Sequence, residues 1–379
     1  MVPPMRLSLL TGAAALAVAV SALPLAAQAE SSPATQVVYR GAEGVGVGKH
    51  IVFVTGDEEY RSEECMPQLA RILAFRHGFS CTVLFAIDPE TGAIDPGNQK
   101  NVPGLAALDD ADLMVVFTRF RDLPDDEMEH FVRYVESGKP VIGLRTATHA
   151  FDIPDGRKFR RYSWRNPEWK GGFGQQILGE TWVAHHGGHG WQSTRGVVAE
   201  GAGEHPILRG FESGSVWDPS DVYTIRLPLP EDAVTLLNGE VLGGMDPSDE
   251  AAGSRTLKDG KVFHPNEPMM PVAWTRAVVA PNGETQRVFS TTLGAAEAFA
   301  HAGTRRLLVN ASLWALGMED AIEPDLDVAC VGPYEPSKFG FGKHKQGVMP
   351  AELAWPVAAD DKGAADDKGA AGGKDGAPR

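Results

Sequence analysis

The unbroken apolar run His50-Ile51-Val52-Phe53-Val54-Thr55, closing on Gly56-Asp57-Glu58-Glu59, predicts a strand buried on both faces. Beyond it Met66, Leu69, Ala70 and Leu73 recur at helical spacing, behind Ser62, Glu63 and Glu64 and ahead of Gly78, which marks the end of a helix. The alternation continues with strands expected at residues 81–85, 112–118 and 140–144. Between the last two, Met128, Phe131, Val132 and Val135 share one helical face. That helix opens on Pro124-Asp125-Asp126-Glu127, a proline and three acids suited to the positive end of the dipole, and closes at Gly138. Such alternation buries its strands only when helices cover both faces of a parallel sheet, because right-handed crossovers put them there. The expected fold class is therefore α/β, a doubly wound and mostly parallel sheet. Further strands, some antiparallel, are expected at residues 181–184, 195–198, 233–237, 270–275 and 287–293. Leu307, Leu308, Ala311 and Ala315 mark a closing helix that ends at Gly317.

The ends of the chain depart from this pattern. Residues 1–29 combine a basic start at Arg6, an apolar stretch from Leu7 to Leu25 and the small-x-small sequence Ala27-Gln28-Ala29, which together read as a secretory signal peptide. An uncleaved anchor is the alternative, since the run approaches spanning length, but Pro24 and the Ala-x-Ala end favour cleavage near Ala29. The mature chain is then expected to be exported, periplasmic or secreted, with no membrane partner. Residues 30–47 are expected to form a linker, 48–318 one α/β domain and 319–356 a Pro-rich extension wrapped over its surface. Residues 357–379 repeat a charged, Ala- and Gly-rich unit without large apolar side chains and are expected to be a disordered tail.

Charge and cysteine content narrow the functional classes. Against 35 Lys and Arg stand 50 Asp and Glu, a formal net charge of −15, so neither nucleic acid nor an anionic membrane is an expected partner. Cys65, Cys81 and Cys330 are too few for a disulfide scaffold, and an odd count leaves at least one free thiol. Cys81, inside SCTVLF, reads as a small buried hydrophobe.

In a doubly wound sheet the ligand lies beyond the carboxyl ends of the strands, so the loops there carry the candidate chemistry. The first holds adjacent acids that could act as general acid or base, hold a cation, or stay solvated ahead of the helix. Glu58 is the catalytic candidate, with Asp57 and Glu59 as substrate contacts. The third strand delivers Arg119 and Arg121, whose guanidinium forks suit carboxylate, phosphate or sugar oxygens, or an ion pair with Asp57 or Glu58. The fourth runs into Gly143-Leu144-Arg145-Thr146-Ala147-Thr148-His149, a junction of the kind that presents a nucleophile on a tight elbow. Neither Cys nor Ser stands at its tip and Arg145 stays protonated, so covalent catalysis is disfavoured there. Arg145 and Thr146 are binding candidates, and His149 is either an acid or base or a residue that only hydrogen-bonds the turn.

The densest feature is Val183-Ala184-His185-His186-Gly187-Gly188-His189-Gly190. Imidazoles ligate zinc and similar ions, but consecutive residues of an extended chain point to opposite sides, so at most two of the three are expected to converge. His185 is a catalytic candidate, and His185 with His189 a candidate pair of ligands for zinc or another divalent metal; an inert surface loop is the alternative. His205, Asp221 and Tyr223 have spacing that says little, and structural roles are expected for them. Trp164, Trp169, Trp182, Trp191 and Trp217 form a group suited to the C–H faces of a sugar, with Trp191 a substrate-contact candidate, although for any single Trp a place in the core is favoured.

The segments GDEEYRSEE, FTRFRDLPD, GLRTATHAF, HPI, PVAWTR, RVFSTTLG and RRLLVNASLWALG, in this order across about residues 49–317, resemble the ThuA-like, or trehalose-utilisation, family. The resemblance implies a flavodoxin-like domain related to the class I glutamine amidotransferases. It places the amidotransferase nucleophile at about Arg145, so that family's Cys is absent and glutamine hydrolysis is not expected. Many members carry a His directly after the RVFSTTLG-like segment, where this chain has Ala295, with Glu297 nearby. The family name implies metabolism of trehalose or related disaccharides, including oxidised keto-sugars. Two functions remain: an exported enzyme acting on a sugar or keto-disaccharide derivative by acid/base or metal-assisted chemistry, or a non-catalytic carbohydrate-binding protein on the same scaffold.

Overall fold

The computed structural model describes residue 1 and residues 34–355. The expected signal peptide beyond Met1 and the expected low-complexity tail lie outside the described residues. The strands are β1 (Gln36–Arg40), β2 (His50–Gly56), β3 (Ser80–Leu84), β4 (Leu113–Thr118), β5 (Val141–Leu144), β6 (Thr194–Val198), β7 (Val216–Asp218), β8 (Ala233–Val241), β9 (Arg255–Thr256), β10 (Val262–Phe263), β11 (Met270–Val279) and β12 (Thr285–Thr291). Helix α1 (Ser62–His77) links β2 to β3, α2 (Asp125–Glu136) links β4 to β5, and α3 (Ala302–Ala315) follows β12. No helix among the described residues is long and apolar enough to cross a membrane.

Ten strands form one sheet in the order β1-β3-β2-β4-β5-β12-β11-β8-β6-β7, while β9 and β10 pair separately. The block β3-β2-β4-β5-β12 is parallel throughout, in the order seen in flavodoxin-like sheets. Beyond it only β1, β6 and β11 run against the common direction. The apolar run of β2 explains the layering. Ile51 and Phe53 pack in one core with Met66, Leu69 and Leu73 of α1 and Leu307, Leu308 and Ala311 of α3. Val52 and Val54 pack in another with Met128, Phe131, Val132 and Val135 of α2. Residues 51–56 of β2 are thus buried whichever way they point. Cys81 is fully enclosed in the first core, as its apolar surroundings predict, and all three thiols are free.

Gly78 ends α1 in the left-handed region at φ 86, donating its N–H to Ala74 O at 2.9 Å. A Cβ there would stand 2.6 Å from the carbonyl oxygen of Glu43, so both the turn and the close chain require glycine.

Two expectations fail. Residues 36–40, assigned to a linker, form β1: Val37 and Tyr39 are buried, and the strand pairs antiparallel with β3 from Gln36 opposite Leu84 to Arg40 opposite Ser80. Residues 181–184 are not a strand. Val183 is exposed, and the segment pairs with residues 221–224 at an isolated bridge between His185 and Tyr223 rather than in a ladder. The described part of the Pro-rich extension does fold back over the domain. Tyr334 donates its hydroxyl to Ala296 O at 2.7 Å, Gly340 donates its N–H to Glu59 O at 2.7 Å, and the Phe339 ring stacks on Tyr60.

Candidate functional site

The loops after β2, β4 and β5 meet at the carboxyl end of the parallel block, where the strand order reverses between β2 and β4. Arg61, Phe120 and Arg145 are the non-glycine residues with positive φ among those described, at 65°, 51° and 45°, one in each of these loops. Left-handed backbone in bulky residues is strain that the surroundings must hold, and it concentrates here. Asp57 supplies part of the hold. Fully buried, it accepts the N–H groups of Glu59 and Tyr60 on one oxygen and the Thr146 hydroxyl on the other, tying the β2 loop to the β5 elbow. Burial, and then the charge of Glu58, raise its pKa.

Several expected ligand contacts are already occupied. Arg145 is fully buried; Nη1 donates to the carbonyls of Asp221 and Thr292 at 2.7 and 2.8 Å, and Nη2 to Tyr60 Oη and Asp221 Oδ1, both at 3.0 Å. Its guanidinium lies between the rings of Tyr60 and Tyr223, 4.5 and 3.8 Å from their centroids. The expected substrate contact is instead an internal strut. Arg121 is likewise enclosed, spending its donors on the carbonyls of Pro96, Asn98 and Arg119 and on Glu58. Glu58 pairs with both Arg119 and Arg121, which is the ion-pair alternative. Asp57 and Thr146 are spent on each other. The Arg119 side chain is 20% exposed, its guanidinium 4.7 and 5.0 Å from the ring centroids of Phe120 and Phe341.

The polar centre is built around Asp221. The N–H of His186 donates to Val222 O and that of Thr224 to Ala184 O, both at 2.8 Å, clamping the histidine loop beside the segment that carries Asp221. Asp221 has no exposed surface. Its Oδ2 lies 2.8 Å from His185 Nδ1, and its Oδ1 3.1 Å from His189 Nδ1; His189 Nε2 lies 3.1 Å from Glu59 Oε1. His185 and His189 therefore converge, while His186 turns away to Pro265 O. Burial alone would raise the pKa of Asp221, but hydrogen bonds from both imidazoles and the charge of Arg145 hold it well below the usual carboxylate range.

The hydrogen bonds to Asp221 and Glu59 push His189 up to about 9, so it is an imidazolium at neutral pH. Because the folded chain holds this proton more tightly than an unfolded one, the stabilisation is complete below the ordinary 6.5 and is lost as pH rises through about 9. Urea midpoints should fall across that window, and His189→Asn should flatten the fall; the side chain is 37% exposed, so screening keeps the effect modest.

An aromatic wall adjoins the carboxylate. His149 is buried with its ring against Phe120, Trp164, Trp182 and Tyr223, and Nδ1 lies 3.1 Å from Thr148 Oγ1. Burial, then the charges of Arg119 and Arg145, hold it neutral. Trp182 continues the wall to His185, ring centroids 5.8 Å apart. Trp191 is not on it: 53% exposed, it packs on Gly188 below Arg255. Trp169 and Trp217 pack elsewhere, on Tyr162 and His301. Ala295 is buried behind the β12 loop, where Asp218 accepts its N–H and that of Gly294. Glu297 accepts the N–H of Phe339 and anchors the extension.

Two kinds of chemistry fit this geometry. An imidazole that donates Nδ1–H to a buried carboxylate presents Nε2 as a base, and the His185 side chain is 41% exposed. Alternatively, ligand atoms of His185, His189 and Asp221 lie within 4.8 Å of one another, a nitrogen and oxygen set suited to zinc.

The family model described as trehalose utilisation, ThuA, matches residues 94–315, more than half of the chain, beginning after the GDEEYRSEE loop. Among solved structures, a putative ThuA-like protein from Bacteroides uniformis ATCC 8492 is similar at 17% identity over 76% of this chain and 98% of its own, with a TM-score of 0.45. One from Parabacteroides merdae ATCC 43184 is similar at 15% identity over 71% of this chain and 90% of its own, with a TM-score of 0.43. No curated protein matches the sequence significantly. The chain belongs to the ThuA, or trehalose-utilisation, family.

Proposed function

We propose that this protein, after export, acts on a sugar or keto-disaccharide derivative by general acid/base catalysis without a covalent nucleophile. The observation that carries the reading is the 2.8 Å contact between the open His185 imidazole and the enclosed carboxylate of Asp221. Asp221 fixes the tautomer, and His185 Nε2 takes a proton from water or from the substrate and returns it in the next step. The His189 imidazolium, held by Glu59, stabilises the negative charge that develops beside it. Trp164 Nε1 has no hydrogen-bond partner among the described residues, and the rings of His149 and Trp164 share the wall with Trp182, an arrangement suited to sugar hydroxyls and C–H faces. The family's description as trehalose utilisation supports the substrate class.

The test is incubation of the mature protein with glycosides and 3-keto-glycosides, products read by mass spectrometry. With an active substrate, His185→Gln should lower turnover by at least about 100-fold at an unchanged urea midpoint. Unchanged turnover removes His185 from the mechanism. Disaccharide binding with no product would favour the non-catalytic carbohydrate-binding reading.

The second reading, metal-assisted hydrolysis, is favoured by the spacing of His185, His189 and Asp221. There a divalent cation would polarise the substrate or activate water. It requires about one equivalent of zinc or a similar metal, lost together with turnover on chelation.

A further inference from the structure

We propose that the cavity between the first turns of α1 and the Pro-rich extension is a second binding site, for a small organic cation bearing a primary ammonium group and an apolar body. The cavity holds about 370 Å³ and is lined on one side by Glu63, Glu64 and Arg71, and on the other by Tyr334, Val348 and Trp355. Glu63 is 8% exposed, and among the described residues neither of its carboxyl oxygens has a hydrogen-bond partner outside its own backbone. Oε1 of Glu64 is also buried and unpartnered, while its Oε2 takes the Ser337 N–H at 2.7 Å and Lys345 Nζ at 3.2 Å. One wall thus presents three enclosed carboxyl oxygens that no other side chain among the described residues satisfies, a costly arrangement for a protein interior. A primary ammonium carries three N–H donors and a charge of the matching sign. Ile94, Leu353 and the Trp355 ring offer the hydrocarbon surface for the rest of the ligand. The one cation on the α1 side, Arg71, is drawn to the Trp355 face and to Gln68 Oε1.

Burial pushes the Glu63 carboxyl up to about 8, with its own backbone N–H and Arg61 opposing and Glu64 and Asp57 adding to the rise. Facing it from the extension are Glu335 and Glu352 against Lys345, while burial keeps the phenols of Tyr39 and Tyr334 neutral. An ammonium ligand would ionise Glu63, so its binding at pH 7 releases a proton.

Titration calorimetry of the whole protein with 2-phenylethylamine, in buffers of different ionisation enthalpy, tests this. The amine should bind with proton release, and its N,N,N-trimethyl analogue, which has the charge but no N–H, at least about ten-fold more weakly. Glu63→Gln should weaken the amine by a similar factor, and Val348→Trp, which fills the cavity, should abolish binding. His185→Gln should leave binding intact, which separates this site from the function proposed above. Glu63→Gln also reports its own folding. Because the folded pKa is raised, the parent loses stability as pH rises from 4.5 to about 8, and the amide variant should melt no lower than the parent above that range. No binding of the amine, equal binding of the trimethyl analogue, or an unweakened Glu63→Gln variant overturns the proposal.

Discussion

Arg145→Met is expected to destabilise the protein by about 3–5 kcal/mol, read as a fall in the urea midpoint at unchanged slope. The substitution keeps most of the side-chain volume between Tyr60 and Tyr223, so the loss reports the guanidinium rather than a void. It takes from buried Asp221 one of its two cationic partners, leaving the His189 imidazolium, and strips donors from the carbonyls of Asp221 and Thr292. Backbone strain at φ 45° costs on the order of 1–3 kcal/mol and is the same in both proteins, so it cancels. Lysine should recover only part of the loss, because one ammonium cannot serve two carbonyls, a carboxylate and two ring faces at once. A loss below about 1 kcal/mol would mean that the buried pair contributes no more than an exposed one and that other contacts hold the elbow.

The parallel half of the fold was legible because its signals are local. The two-sided burial of β2 is written in Ile51-Val52-Phe53-Val54, and the end of α1 in Gly78. β1 was missed because Val37 and Tyr39 alternate over too few residues to stand out before the sheet edge that pairs with them is known. The site was legible only in outline. The sequence places acids, arginines and histidines at strand ends, and the three-histidine loop is conspicuous, but which group faces which depends on long-range closure. Asp221 has no local motif, and it becomes the centre only when residues 221–224 dock on the histidine loop. The same closure turns Arg145, Arg121 and Glu58 inward. Sequence spacing cannot distinguish a guanidinium spent on carbonyls from one offered to a ligand. Positive φ at Arg61, Phe120 and Arg145 has no reliable signature in the residue type either, since glycine is the usual occupant of that region.

Asp221→Asn carries the largest expected effect on activity, a fall in turnover of about 10⁴-fold with little change in KM. The carboxylate now accepts from His185 on one oxygen and from His189 and Arg145 on the other. An amide offers one acceptor oxygen and turns an N–H towards one imidazole, so His185 either takes the wrong tautomer or loses its orientation. His189 loses one of the two anions that raise it to about 9, and its titration by NMR should move down towards 6.5. That shift separates a positioning effect from simple unfolding, which would move every histidine at once. Glu58→Gln supplies the contrast: its carboxylate is held by Arg119 and Arg121, so the amide should cost stability while leaving proton transfer at His185 in place. A protein in which Asp221→Asn removes bound zinc in step with activity would instead assign the carboxylate as a metal ligand. A protein in which neither activity nor the His189 titration responds would leave Asp221 as the counter-ion of Arg145 alone.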